Sequence, residues 1–317
     1  MAKKMDLSSY KKTTPLKSDS RKAEPVKKNQ EINPGQPEPA DKRKSPSVSP
    51  RRPKDSKRLS PEPLKQSTTK VNESTEAMGI RLNRYIAHCG VCSRREADVL
   101  IADGKIRVNK KVITAMGYQV MPGDSVFLGK KLLKKEDYAY VLLNKPKNFI
   151  TTTKDTHERK TVMDLVEKAS DARLYPVGRL DRNTTGLLLL TNDGELTDRL
   201  SHPSNNIKKI YQVEIDKPLL KEHFEEIVAG FTLEDGPIAI DEIVVLTADS
   251  KSIGIEIHSG RNRIVRRIFE HFDYEVTRLD RVVYAGLTKA NLPRGKWRHL
   301  NDREIGLLKK KGKKRGS

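Results

Sequence analysis

Cysteine is nearly missing from this 317-residue chain: there are two, Cys89 and Cys92, forming one C-x-x-C beside His88. One such pair is too few ligands for a closed zinc site, and no second C-x-x-C or H-x-x-x-H follows, so ordinary packed thiols near a helix end are expected. Long apolar runs are missing too. No stretch of 18 or more apolar residues offers a membrane span, and MAKKMDLSSYKKTTP has none of the apolar core a signal peptide needs, so a cytoplasmic protein is expected. There is no G-x-G-x-x-G, no G-x-x-x-x-G-K-[ST] and no metal-ligand cluster, hence no signature of a nicotinamide, flavin or nucleotide cofactor. No internal repeat is visible. Negative charge is also short: 42 Asp and Glu face 63 Lys and Arg, a net charge of +21. That excess points to a polyanionic partner, nucleic acid first. A basic peripheral membrane protein would need a basic helix with a broad apolar face, which the chain does not offer.

What is present is unevenly distributed. Residues 1–78 hold 10 of the 17 prolines, one aromatic (Tyr10), and 19 Lys and Arg against 10 Asp and Glu. Such a composition cannot build a core and reads as a disordered basic tail. An electrostatic arm and a spacer without a partner both remain open for it. The rest carries +12, so the folded part is basic in its own right. A second basic tail, 307–317, closes the chain in KKKGKKRGS.

From Ile80 the texture changes. Leu82, Tyr85, Ile86 and Cys89 recur at helical spacing before Gly90 supplies a stop. Ser93 and Glu96 then form an S-x-x-E capping pattern that starts a second helix, ended by Gly104. KIRVNKKVI and PGDSVFL alternate around the turn candidates Asn109-Lys110 and Pro122-Gly123-Asp124, which predicts short antiparallel strands. Arg81, Arg84, Arg94, Arg95, Lys105 and Arg107 crowd the outside of this unit, while its few aromatics sit at core-like positions. Recognition of nucleic-acid backbone and shape follows, rather than base stacking. The stretch from Ile80 to about Leu128 resembles the S4 RNA-binding domain, a small α/β module; its bounds are set at 79–136.

A larger domain is expected over 137–306. YAYVLLNKP reads as a strand ended by Pro146, LLLLT after Gly186 as a buried strand, and KIYQVEI and SIGIEIHSG as alternating strands. ELTDRLSHP and IVRRIFEHF read as helices. Strands and helices mix without strict βαβ alternation, so the class is α+β with one large mixed, mostly antiparallel sheet.

Within it, GRLDRNTTG (178–186) presents a carboxylate as chemistry would want it. A carboxylate that attacks carbon must be ionised and exposed on a loop, and Asp181 lies between Arg179 and Arg182, with Gly178 and Gly186 permitting sharp turns. A calcium loop is excluded, because its fifth position is Thr185 and its twelfth is Asn192, where a bidentate glutamate is needed. A structural carboxylate that caps the loop remains open on local evidence alone.

Four segments in order narrow that choice: LNKPKNFITTTKD from Leu143, LYPVGRLDRNTTGLLLLTNDG from Leu174, KKIYQVEI from Lys208, and SGRNRIVRRIFEHFDYEVTRLDRVVYAGL from Ser259. With the S4-like module ahead of them, they resemble the RsuA/RluB group of ribosomal-RNA pseudouridine synthases over about Ile80–Leu300. The resemblance implies isomerisation of uridine: the C1′–N1 bond breaks, the base turns, and C5 joins C1′. No cofactor is needed for such a redox-neutral step. It implies Asp181 as the essential carboxylate, Tyr211 as the tyrosine against the uracil ring, and Arg266 as the basic residue paired with the aspartate. Lys209, Arg261 and Arg263 become RNA-contact candidates, and Arg179 a candidate for the space vacated by a flipped uridine. The implied partner is ribosomal RNA, with the large subunit favoured and a monomer as the default. A non-catalytic RNA-binding factor on the same fold would use the module and tails equally well, but has no need to keep Asp181, Tyr211 and Arg266 together. Two positions depart from the group's pattern. Asn148 stands where NKPKG has glycine, and asparagine should tolerate the turn; Ile264 replaces a common glutamine, which removes a polar contact.

Overall fold

The computed structural model describes residues 79–311; the expected disordered tail 1–78 and residues 312–317 of the expected second basic tail lie outside the described residues. A short strand β1 (Ile80–Arg81) leads into helix α1 (Leu82–His88), which buries Leu82 and Ile86. Helix α2 (Arg94–Ala102) begins with the expected capping box: Glu96 N–H donates to Ser93 Oγ at 3.2 Å, and Ser93 N–H donates to Glu96 Oε2 at 2.8 Å. Strand β2 (Ile106–Val108) pairs with β3 (Lys111–Val112) across Asn109, whose φ of +54° makes the predicted turn. β4 (Gln119–Val120) returns to β1, while β5 (Val126–Leu128) and β6 (Lys131–Leu132) complete a four-stranded antiparallel sheet. Leu82, Ile86, Ala97, Ile101, Ile106 and Val126 form the core of this module. Cys89 and Cys92 are free thiols packed against that core. Burial pushes Cys89 up to about 11, the opposite of what a reactive thiolate requires.

The second part opens with β7 (Tyr140–Lys145), followed by α3 (Val162–Val166), β8 (Tyr175–Pro176), β9 (Thr185–Thr191) and α4 (Gly194–Ser201). After β10 (Lys209–Ile215) come α5 (Lys221–Ala229), the hairpin β11 (Phe231–Leu233) and β12 (Gly236–Ile238), β13 (Glu242–Val245), β14 (Ser252–Ile257) and α6 (Ile264–Glu270). The chain then forms β15 (Val276–Tyr284), β16 (Leu287–Thr288), β17 (Trp297–His299) and α7 (Asp302–Lys310). One sheet runs β13-β14-β10-β15-β9-β7-β17, with β8 paired to β9 and β16 to β15. The expected mixed, mostly antiparallel α+β sheet is therefore present, and β9 with β15 is its parallel pair.

LLLL is continuous because both faces of β9 are covered. Leu188 and Leu190 join Val141, Leu143 and the β14 isoleucines on one side; Leu187 and Leu189 join Leu142, Leu196 and Leu308 on the other. The expected tail from 307 begins later than assigned. Residues 307–310 belong to α7, where Leu308 is fully buried and the Lys309 carbonyl accepts from Arg199 Nη1 at 2.7 Å. Among the described residues no helix is long and apolar enough to cross a membrane.

Candidate active site

Asp181 sits half-exposed on a turn whose neighbour Leu180 is buried. The turn is closed by Thr184 N–H donating to the Asp181 carbonyl at 3.1 Å. It is held from two sides. Asn148 N–H donates to the Arg182 carbonyl at 2.9 Å, and Asn148 has φ +70°, so asparagine does make the turn in which glycine was expected. Thr151 Oγ1 donates to the Leu180 carbonyl at 2.8 Å. Gly178 has φ +71° with open space around its Cα. Gly186 is constrained by contact instead: at φ +108°, a Cβ there would lie 2.3 Å from the Arg281 carbonyl oxygen, so only glycine lets β9 and β15 close.

A group that the sequence reading passed over organises this turn. Lys145, at the end of β7, is fully buried, and its Nζ donates to the carbonyls of Asp181 at 3.0 Å, Thr184 at 2.8 Å, Pro146 at 3.1 Å and Arg182 at 3.3 Å. Burial pulls its pKa down to about 8, with the charge of Asp181 working in the opposite direction. A signal was present: Lys145 is in phase with Val141 and Leu143 on the inner face of the strand, and a core-facing cation demands partners.

Tyr211 lies on β10, buried in the main core. Sheet register ties it to the turn. Tyr211 is the partner of Arg281, Arg281 of Gly186, and Gly186 of Lys145, so one rung crosses four strands. At about 4.8 Å between strands, Tyr211 and Gly186 are roughly 10 Å apart along it. Arg281, 3% exposed, fastens the rung. Its Nε donates to the Leu187 carbonyl at 2.8 Å, its guanidinium covers the Tyr284 ring at 4.5 Å, and its Nη2 is buried without a hydrogen-bond partner among the described residues.

The ion pair expected between Arg266 and Asp181 does not form among the described residues. Arg266 is captured by the start of β15, where Nη1 donates to the Val276 carbonyl at 2.7 Å, and its Nε is buried without a hydrogen-bond partner among the described residues. Burial and Arg263 lower its pKa, while the charge of Asp181 raises it, so the two are coupled electrostatically without contact. Ile264 begins α6 and packs into the main core. Thr184 Oγ1, next to the turn, is likewise buried without a hydrogen-bond partner among the described residues.

The RNA-contact candidates divide into engaged and open groups. Arg84 pairs with Glu195 at 2.8 Å, Arg94 with Asp198 at 3.4 Å, Lys105 with Asp103 at 2.9 Å, and Arg263 with Glu270 at 2.9 Å. Arg261 donates to Asp235 and to the Gly236 and Pro237 carbonyls; Arg267 also binds Asp235. Lys209 is half-buried with Nζ on the His258 carbonyl at 2.6 Å, and burial together with Arg281 pulls it down to about 8. Arg81, Arg95 and Arg179 are exposed and form no side-chain hydrogen bond or ion pair among the described residues. Arg107 is exposed, its guanidinium 5.0 Å from the Phe127 ring centroid.

Residues 139–271 match the family model for RNA pseudouridylate synthase, and residues 80–126 match that of the S4 domain. The chain is 40% identical over 233 residues to ribosomal large subunit pseudouridine synthase B of Bacillus subtilis, covering 72% of this chain and 95% of the relative. It is 37% identical over 229 residues to the dual-specificity RNA pseudouridine synthase RluF of Escherichia coli K12, covering 71% and 77%. Among solved structures, the crystal structure of a pseudouridylate synthase superposes with a TM-score of 0.52 at 26% identity, over 72% of this chain and 99% of that one.

Proposed function

The chain belongs to the RNA pseudouridylate synthase family and carries an S4 domain ahead of the synthase domain, and from that premise we propose that it isomerises a specific uridine of large-subunit ribosomal RNA, in the cytoplasm, with Asp181 as its catalytic carboxylate. The observation that carries the reading is the Asp181 turn, half-exposed at the end of a wholly buried strand and held by the Lys145 ammonium. A carboxylate on so rigid a base can meet the sugar or base of an extruded uridine at one fixed position.

The reaction rearranges bonds within one nucleotide. The C1′–N1 bond breaks, C5 bonds to C1′, the C5 proton leaves and N1 gains one, so atoms balance with no added water or oxidant. A glycoside hydrolase needs two carboxylates flanking the bond and a water as acceptor; here one carboxylate is offered. Tyr211 is assigned to the uracil ring, as the group beside C5, and Arg266 to the charge balance of Asp181. Arg81, Arg95 and Arg179 are assigned to phosphates, since their guanidinium groups are exposed and unengaged among the described residues.

The test maps pseudouridines in ribosomal RNA from cells lacking this protein, complemented with wild type or Asp181→Asn. One mark should vanish on deletion and return only with wild type. An unchanged map after deletion sinks the enzyme reading in favour of a non-catalytic RNA-binding factor, and a mark restored by Asp181→Asn removes Asp181 from the chemistry. The position of the lost mark also decides between the subunits.

A further inference from the structure

Three ion pairs join the S4 module to the synthase domain. Arg84 of α1 meets Glu195 at 2.8 Å, Arg94 of α2 meets Asp198 at 3.4 Å, and Lys154 meets Glu96 at 2.5 Å. The first two occupy cations that a basic helix pair would offer to phosphate. Both carboxylates come from α4, three residues apart and therefore on one helix face. The side chains stay between 38% and 67% exposed, so water and solutes reach them, and pairs of that kind hold weakly.

Between the two walls is a cleft of about 360 Å³, lined also by Lys135 and Arg173. Neither is in an ion pair with any described residue. The cleft thus presents four fixed cations, Arg84, Arg94, Lys135 and Arg173, against the two carboxylates Glu195 and Asp198. Tyr138 and Tyr175 line it as well. It lies away from the Asp181 turn: β9 runs from one to the other, and its seven residues at about 3.3 Å each set them roughly 20 Å apart.

We propose that Glu195 and Asp198 are internal stand-ins for RNA phosphates, holding Arg84 and Arg94 until a phosphodiester backbone displaces them in this cleft. The proposal rests on the reading of the chain as an RNA-modifying enzyme and adds to it a second contact site and a source of discrimination. An RNA that touches only one wall must compete with two built-in carboxylates and gains little. A folded RNA that reaches both the cleft and Asp181 supplies phosphates at high local concentration and wins the exchange. The device therefore weakens binding to arbitrary RNA more than binding to the proper substrate.

The experiment uses the full chain, Glu195→Gln/Asp198→Asn, and two probes: a single-stranded 20-mer of uridine and a transcript of the ribosomal segment that carries the mark lost on deletion. Affinity is read by fluorescence anisotropy across a potassium chloride series, and thermal unfolding confirms that the variant is folded. The variant should bind the 20-mer about three- to tenfold tighter at low salt, as expected for freeing two exposed pairs of modest strength. It should add about 1.4 to the magnitude of the salt slope, because two more cations each meet a phosphate on a single strand. The gain on the ribosomal transcript should be smaller, so the ratio between the two affinities falls. Adding Arg84→Gln and Arg94→Gln to the same background should erase the gain in slope. A folded variant with unchanged affinity and slope overturns the proposal, and so does weaker binding, which would make the pairs a docking contact that RNA recognition needs intact. A wild-type chain that binds neither probe overturns the RNA reading itself and this inference with it.

Discussion

Replacing Lys145 by methionine tests whether the Asp181 turn depends on one buried ammonium. Methionine fills much of the lysine stem's volume and removes the charge. Holding the ammonium in the core is costly: a pKa lowered from 10.5 to about 8 corresponds to about 3 kcal/mol against the charged form. Three ammonium protons serve the four carbonyls within 3.3 Å, and charge-assisted bonds of about 1.5–3 kcal/mol each outweigh that cost by roughly 1–6 kcal/mol. Asp181 and Arg182 lie where water can rehydrate their carbonyls once the turn moves, so the lower part of that range applies, about 1–3 kcal/mol of lost stability. The effect on activity should be larger than that, because a displacement of about 1 Å at a reacting group costs on the order of 10²-fold. Leu143→Ala on the same strand is the control: it empties a fully buried site and costs about 2–5 kcal/mol without touching a loop carbonyl. Release of tritium from C5-labelled uridine in the RNA substrate measures turnover, since C5 must lose its hydrogen, and circular dichroism measures unfolding. Lys145→Met should therefore be the more stable variant and the less active one. If folded Lys145→Met turns over within threefold of wild type, or if Leu143→Ala loses as much activity at equal fraction folded, the turn does not depend on the ammonium.

Other consequences follow from the same geometry. Gly186→Ala should lower Tm by roughly 6–12 °C, about 3 kcal/mol at this chain length, because its Cβ meets the Arg281 backbone; Gly178→Ala, with only backbone strain to absorb, should lose about half as much in the same melt. Asp280 is partly buried, which raises its pKa, yet Arg294 and Lys289 hold it at about 2. Its contribution, about 2 kcal/mol, should be present above pH ~4 and lost as pH falls through about 2, and Asp280→Asn should flatten that acid limb in pH-dependent melts. Lys145 and Lys209 have folded pKa values of about 8, below their unfolded value, so the unfolded chain binds more protons between about pH 8 and 10.5 and stability from these two groups should rise there. Activity should fall over the same window as Lys145 loses its charge; Lys209→Met should reduce the gain in stability while leaving the fall in turnover in place.

Much of this molecule was legible in one dimension because its causes are local. The Ser93–Glu96 capping box spans four residues, the Asn109 turn spans two, and the doubly buried β9 shows itself in four consecutive leucines. β15 escaped notice for the opposite reason. VTRLDRVVY is rich in charge and reads as surface, yet it lies between β10 and β9, because Asp280 is answered by Lys289 and Arg294, and Arg281 by the Leu187 carbonyl and the Tyr284 ring. Lys145 was overlooked in the same way, three of its four carbonyl partners being 36 to 39 residues away.

The basic character of the chain and its two-part order were determined by the sequence alone, since charge, hydrophobic period and turn chemistry are properties of residues close together along the chain; Asp181 was singled out only by the resemblance of the segments around it to a known family. Only the tertiary structure decided which cations are spent and which remain open. Arg84 and Arg94 look the same as Arg95 in the sequence, and they differ because α4, more than a hundred residues later, brings carboxylates to two of them. Arg266 likewise is turned from Asp181 to the Val276 carbonyl by the packing of α6 on the start of β15. Electrostatic partnership is settled by distance in space, and distance in space is set by the closure of the sheet.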